Sequence, residues 1–148
     1  MLADQGTKYW VTLVFQPGET RSVTGFFNLV LVFNRGAAFS FLSDASGWQR
    51  PVFVAIAVVA AGLIAWLLAR HPGEPLFCLG LSLILGGALG NLCDRVLLGH
   101  VVDFLDFHAG GHHFPAFNLA DSAITCGAAV LLYDGFRSSS PGVPGQAG

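Results

Sequence analysis

Hydrophobic residues in this chain are gathered into long uninterrupted runs, and polar residues are confined to the joints between them. From Val52 to Ala69 there are 18 residues without a charge, closed by Arg70-His71-Pro72-Gly73. At about 1.5 Å per residue, a helix of that length reaches about 27 Å, close to the hydrocarbon thickness of a bilayer. Leu76 to Cys93 is a second uncharged run of 18. Pro72, Gly73 and Pro75 make the link between the two a tight turn, so the spans are expected to be antiparallel neighbours. A third run extends from about Asn118 to Tyr133, interrupted only by Asp121. Near the start, Leu2 to Phe15 is apolar but carries Asp4 and Lys8, and its 14 residues cover only about 21 Å, too little to cross alone. Helices are therefore expected at about 2–16, 52–69, 76–93 and 118–136.

Between Gly25 and Leu42 the period changes. Phe27, Leu29, Leu31 and Phe33 alternate with Asn28, Val30, Val32 and Asn34, and a period of two argues for strand. A β-element is expected at about 25–42, outside the membrane, followed by the small Gly36-Ala37-Ala38. The Ser/Pro/Gly-rich segment 138–148 lacks core-forming residues and is expected to be a disordered tail, leaving one domain at 1–137.

Composition strengthens the membrane reading. Hydrophobic residues make up 53% of the 148 and charged residues 11%, against about 25% charged in soluble domains; mean hydropathy is +0.63. The net charge of −2 and the lack of a basic cluster argue against nucleic acid as a partner. Cys78, Cys93 and Cys126 have no CxxC spacing and read as small buried hydrophobes, not as a zinc site or disulfide framework. Trp10, Trp48 and Trp66 suit interfacial anchoring. Arg70 and Arg137 fall on one membrane side if the spans alternate, but Arg21, Arg35 and Arg50 lie opposite, so charge counting leaves orientation open.

Against this background the polar residues stand out. Asn91, Asp94 and Arg95 occur at i, i+3 and i+4 and share a helical face at one end of their span. Gly86 and Gly90 have the small-xxx-small spacing that permits close helix approach. Asn118 and Asp121 are three apart at the start of the last helix, and Asp103 lies in the intervening connection. Antiparallel packing gathers all of these at one interface. Carboxylates in apolar surroundings are costly, and two close together cannot both ionise readily, so one keeps its proton while the other stays anionic. Such a pair suits hydrolysis: the anion draws a proton from attacking water and the acid donates to the developing oxyanion. The alternative is structural, with Asp103 paired to Arg95 and Asp121 capping a helix or bonded to Asn118. His108, His112 and His113 form a His-rich loop that has metal-binding side chains but reads as solvated and flexible through Ala109-Gly110-Gly111, and Asp44 and Asp106 read as exposed loop charges.

Five ordered strings then carry a resemblance: Asp4-Gln5-Gly6-Thr7-Lys8, Asn34-Arg35-Gly36-Ala37-Ala38-Phe39-Ser40, Gly86 through Arg95, Gly99-His100-Val101-Val102-Asp103-Phe104, and Phe117-Asn118-Leu119-Ala120-Asp121-Ser122-Ala123. In this order they resemble the sequence blocks of bacterial lipoprotein signal peptidase, the signal peptidase II family, from Asp4 to Arg137. The resemblance implies a four-helix transmembrane bundle with a small periplasmic β-cradle, multi-pass in the cell inner membrane, with both termini cytoplasmic and the active site near the periplasmic face. It implies a monomeric intramembrane aspartic endopeptidase that cuts prolipoproteins on the N-terminal side of the diacylglyceryl-modified cysteine, in contact with membrane lipid and inhibited by globomycin-type compounds. Asp103 and Asp121 match the catalytic dyad; Asn34, Gly36, Asn91, Arg95 and Asn118 match pocket-lining positions; Asp4 and Lys8 match a structural pair, with Asp94 a further structural polar residue. No metal or organic cofactor is implied. Only Met1-Leu2-Ala3 precede Asp4, where the family carries an apolar stretch, so the first helix is expected to be truncated here, with a true start upstream.

Two other classes compete. A transporter or proton relay would use the intramembrane carboxylates as an ion path, but needs ionisable groups through the bilayer depth, and 52–69 and 76–89 contain no charged residue. A non-enzymatic assembly subunit would tolerate loss of the aspartates.

Overall fold

The computed structural model describes residues 1–35 and 49–138, and among them four helices and a four-stranded sheet follow one another as α1 (Leu2–Val14), β1 (Thr20–Thr24), β2 (Phe27–Asn34), α2 (Gln49–Arg70), α3 (Pro75–Leu97), β3 (Val101–Ala109), β4 (His112–His113) and α4 (Leu119–Ser138). Gly36, residues 36–42 of the expected β-element, Trp48 and residues 139–148 of the expected tail lie outside the described residues. Ser138 itself closes α4.

Helices α2, α3 and α4 are long and apolar enough to cross a membrane. With 22, 23 and 20 residues they extend about 30–35 Å at 1.5 Å per residue, and α2 leaves Ile56, Val58, Val59, Leu63 and Trp66 on its outer surface. In water such a surface would be unstable; against lipid chains it costs nothing. α1, at 13 residues, is shorter than a crossing requires. Of the cysteines, Cys78 and Cys93 are half-buried, while Cys126 is exposed on α4, contrary to the expectation that all three are buried.

Helices α3 and α4 pack antiparallel at a distance set by residues without side chains. A Cβ on Gly80 would lie 2.7 Å from the Leu131 side chain, one on Gly127 would lie 2.6 Å from the Gly80 carbonyl oxygen, and one on Gly87 would collide with the Ala120 carbonyl. The pair singled out by small-xxx-small spacing is thus corrected in part. Gly90 belongs to the contact, facing Asp4 and the Ala120 methyl, whereas Gly86 meets only the start of α1. The operative spacing is seven residues, Gly80 to Gly87, which returns to one face after about two turns.

The sheet runs β1-β2-β3-β4, antiparallel throughout. A register shift between Leu29 and Val32 lets the consecutive Val30 and Leu31 both be buried, as an extra bulge residue does. Leu31, Val102 and Phe104 from β2 and β3 close a small core with Val11 and Phe15 at the end of α1. The expected flexible His-rich loop is instead a tight hairpin: β3 turns into β4 through Gly110 and Gly111 at φ 56° and 82°, the conformation two-residue turns require and glycine supplies.

At the other end of α1, a buried ionic cluster replaces the core. Asp4, Lys8, Val11 and Phe15 form one stripe, polar at its start and apolar at its finish. The Lys8 ammonium lies 3.0 Å from Asp4 Oδ2, 2.8 Å from Asp94 Oδ2 and 2.9 Å from Asn91 Oδ1, so each of its three protons has an acceptor. Asp4 Oδ1 accepts the Ala120 N–H of α4 at 2.9 Å, and Asp94 Oδ2 accepts the Val102 N–H of β3 at 3.2 Å. Gln5 donates to Asp94 Oδ1 and to the Gly90 carbonyl. Removing one partner of such a cluster strands the others. Lys8→Met, which keeps the stem and deletes the charge, is expected to cost about 3–5 kcal/mol, read as a lowered thermal unfolding midpoint of the detergent-purified protein; an unchanged midpoint would show that α1 is held by apolar contacts alone.

Candidate active site

Asp103 and Asp121 are brought together by a short irregular segment, 114–118, that runs between the sheet and α4. Phe117 acts as a single-residue strand against β3: its carbonyl accepts the N–H groups of Phe104 and Leu105 at 3.0 and 2.8 Å, and its own N–H donates to the Leu105 carbonyl. This bridge fixes the next residue, Asn118, beside Asp103 and leaves α4 to start immediately after it.

Asn118, fully buried, does two jobs. As helix N-cap its Oδ1 accepts the Asp121 N–H at 2.9 Å, while Asp121 Oδ2 accepts the Asn118 N–H at 3.4 Å, a reciprocal capping arrangement. With its oxygen so engaged, the amide nitrogen must face the other way, and it donates to Asp103 Oδ1 at 2.7 Å. One residue therefore touches both carboxylates. The capping role of Asp121 and its proximity to Asp103 coexist; they are not alternatives.

Asn91, on the buried face of α3, completes the link. Its Oδ1 accepts from Lys8, which can only donate, and from Asn118 Nδ2 at 3.2 Å. The Asn91 amide is thereby oriented so that Nδ2 donates to Asp121 Oδ1 at 2.7 Å. The buried ammonium thus sets the orientation of a group one bond from the carboxylate.

Asp103 lies on β3 and is 2% exposed. Its Oδ2 accepts from Asn34 Nδ2 at 3.0 Å, the diagonal neighbour across the β2–β3 pairing, since Asp103 stands opposite Val32. Burial pushes its carboxyl up, the nearby Asp121 charge adds to this, and the Asn34 and Asn118 donors pull against it; the outcome is about 6. Arg95, at the end of α3, stacks its guanidinium 5.3 Å from the centre of the Phe53 ring and donates to the Asn91 carbonyl at 3.4 Å. Its charge acts on Asp121, Asp103 and Asp94.

The sequence-derived residues Asn34, Asn91, Asp94, Arg95, Asp103, Asn118 and Asp121, with Asp4 and Lys8 behind them, therefore occupy one contiguous region, and Gly36 lies outside the described residues. A cavity of 490 Å³ opens beside Asp121, lined by Phe114, Phe117, Ser122, Thr125 and Cys126. Gly87 and Gly90, packed against Ala120 and Asp4, close the helix interface, and the cavity beside Asp121 lies on the other side of α4. Sequence reasoning missed Gln5 and Phe117. Gln5 sits next to Asp4 in the same polar string, a visible signal; Phe117 left none, because its role is carried by backbone. Asp106 is corrected: it is not an exposed loop charge but a buried carboxylate on β3, accepting from Asn28 Nδ2 and His113 Nδ1 at 2.8 and 2.9 Å. Among the described residues, no group of three or more His, Cys, Asp or Glu side chains is placed to hold a metal ion.

Comparison with known proteins places this chain among relatives over most of its length. The family described as "Signal peptidase (SPase) II" matches residues 1–137. The chain is 59% identical over 137 residues to the lipoprotein signal peptidase of Cupriavidus taiwanensis, covering 93% of this chain and 78% of that protein. It is 61% identical over 137 residues to that of Burkholderia vietnamiensis, covering 93% and 82%. A solved bacterial membrane enzyme structure superimposes with a TM-score of 0.85 at 31% identity, covering 99% of this chain and 88% of the other.

The amides around Asp103 stabilise its ionised form, so removing one raises its proton affinity. In Asn34→Ala the protonation midpoint of Asp103, followed by its carboxyl infrared band, is expected to move above about 6. A midpoint that stays or falls would mean that the Asn34 bond does not act on the carboxylate.

Proposed function

The chain belongs to the signal peptidase II family and is a membrane peptidase that removes signal peptides from prolipoproteins, and from this premise we propose that it is an aspartic endopeptidase with Asp103 and Asp121 as its catalytic pair. The observation that carries this reading is the Asn118 bridge. A single capping residue donates to both carboxylates, through its side chain to Asp103 at 2.7 Å and through its backbone to Asp121 at 3.4 Å. A transporter or proton-relay role finds no support in the relatives or in the charge-free runs of α2 and α3.

In the proposed reaction Asp103, the carboxyl pushed upward, holds the shared proton, and Asp121 is the anion. Water attacks the scissile carbonyl carbon while Asp121 takes one of its protons, and Asp103 donates to the carbonyl oxygen. The tetrahedral intermediate then collapses: its C–N bond breaks, and the leaving amine takes the proton from Asp121 as Asp103 recovers its own. Activity therefore falls as pH rises through the Asp103 midpoint, near 6, where the proton it donates is lost.

The same reading extends to the surroundings. The substrate is the diacylglyceryl-modified prolipoprotein, cut on the N-terminal side of the modified cysteine. Its apolar chains stay against membrane lipid while the peptide reaches the cavity beside Asp121. We place the enzyme as a monomer in the cell inner membrane, its four helices forming the bundle and its sheet and dyad at the periplasmic face, and expect a globomycin-type inhibitor to occupy the dyad. Support for this placement comes from the site lying at the ends of α3 and α4 where the sheet begins, so that water reaches the carboxyls while the spans remain in hydrocarbon.

Purified protein incubated with a lipid-modified prolipoprotein should release the signal peptide. Asp103→Asn and Asp121→Asn should each abolish release, with unfolding midpoints near that of the unaltered protein, because asparagine keeps the shape and removes the proton chemistry. Processing by either variant at the unaltered rate would remove that residue from the pair. Asn118→Ala is expected to lower the rate less severely, since it disturbs orientation and helix capping.

A further inference from the structure

On the face of the sheet formed around Asp106, four polar side chains form a row that the peptidase reaction does not use. Asn28 stands directly opposite Asp106 across β2 and β3, and His108 stands directly opposite His113 across β3 and β4. Asp106, two residues before His108 and on the same face, reaches diagonally to His113, whose Nδ1 lies 2.9 Å from both carboxylate oxygens. The imidazole rings of His108 and His113 stack with centroids 5.0 Å apart.

The chemistry of this row is directional. Asn28 donates to Asp106 at 2.8 Å. Both oxygens of this buried carboxylate also face His113 Nδ1. An ionised carboxylate only accepts, so the proton of the bond sits on His113 Nδ1. The tautomer is thereby fixed, and the lone pair of a neutral His113 is on Nε2, on the far edge of a ring whose side chain is 57% exposed. A buried carboxylate holding one imidazole nitrogen while the other faces outward is the arrangement that orients histidine as a metal ligand and raises its basicity. Cross-strand neighbours have Cβ atoms about 4.5–5.5 Å apart, and since imidazole binds in its ring plane, a turn of the His108 ring out of the stack brings both rings to one ion at about 2.0–2.1 Å. The tight Gly110-Gly111 turn holds the two strands in that register.

We propose that His108 and His113 form a two-imidazole site for a divalent late transition-metal ion, with Asp106 and Asn28 orienting His113 from behind. Imidazole selects zinc, copper and nickel over magnesium and calcium, which prefer oxygen. Solvent completes the coordination. His112, the neighbour of His113 on β4, points to the opposite face and takes no part. Bound metal clips β3 to β4, the hairpin that leads through Phe114 and Phe117 to Asn118.

The test uses the full-length protein, purified in detergent with a histidine-free tag. Zn²⁺ is titrated by calorimetry, and Cu²⁺ is added for electron paramagnetic resonance. One saturable site is expected, with a spectrum showing coordinated imidazole nitrogen. His108→Ala and His113→Ala should each weaken Zn²⁺ binding by more than tenfold, whereas His112→Ala should leave it unchanged. Asp106→Asn, which retains both ligands, should weaken it by about 10–100-fold. That variant separates a built site from two imidazoles that merely lie near each other. Equal affinity in Asp106→Asn, loss of binding in His112→Ala, or no saturable binding in the unaltered protein would each overturn the proposal. All readouts are independent of peptidase activity, and thermal unfolding of each variant without metal verifies that the hairpin is folded.

Discussion

A single ammonium group, that of Lys8, is the constraint on which the rest of this structure depends. It is buried at 3% exposure in a chain whose surroundings are mostly apolar, where an unpaired charge would be prohibitive. Two carboxylates and one amide oxygen saturate it, and each acceptor belongs to a different connection. Asp4 ties it to the first turn of α4, Asp94 to the start of β3, and Asn91 to the carboxylate of Asp121. Helix–helix association in lipid gains little from burial of apolar surface, so polar contacts with defined geometry decide how α1 sits. The cost of burying these charges is offset only when all partners meet, which makes the arrangement specific.

The second requirement is close approach. Asn91 reaches Asp121 and Asn118 because α3 and α4 meet through Gly80, Gly87, Gly90 and Gly127, with no side chain between the backbones. A bulkier residue at Gly87 would move Asn91 outward and break a relay whose links are 2.7–3.2 Å long. These glycines thus draw the polar region around Asp121 shut on one side. The cavity beside Asp121 lies on the other.

The environment of Asp103 shows how a balance between burial and hydrogen bonding sets a proton affinity. Desolvation alone would keep the carboxyl neutral over a wide range, and two amide donors alone would keep it ionised. Acting together they leave it near 6. Asp106, three residues along the same strand, meets the opposite outcome because its donors outweigh its burial. Neighbouring aspartates on one strand thus differ in proton affinity because their donors and burial differ.

Charge-free length marks α2 and α3, because in lipid a helix must satisfy its backbone internally and show apolar side chains outward; periodicity of two marks β2 for the corresponding reason. The polar cluster was legible as well. Asn91, Asp94, Asn118 and Asp121 have helical spacing, and carboxylates beside such runs are rare enough to single out Asp103 and Asp121. What lay beyond the sequence depended on contacts between distant segments. Phe117 works through backbone atoms that any residue carries, Asp106 is buried only because Asn28 and His113 arrive from other strands, and Gly86 and Gly87 differ only in which helix each faces. Local periodicity determined which residues are available and on which element; the glycine-mediated approach of α3 to α4 and the Phe117 bridge to β3 decided which of them meet, because a hydrogen bond across the fold requires both partners within about 3 Å and no pattern along one segment specifies the position of another.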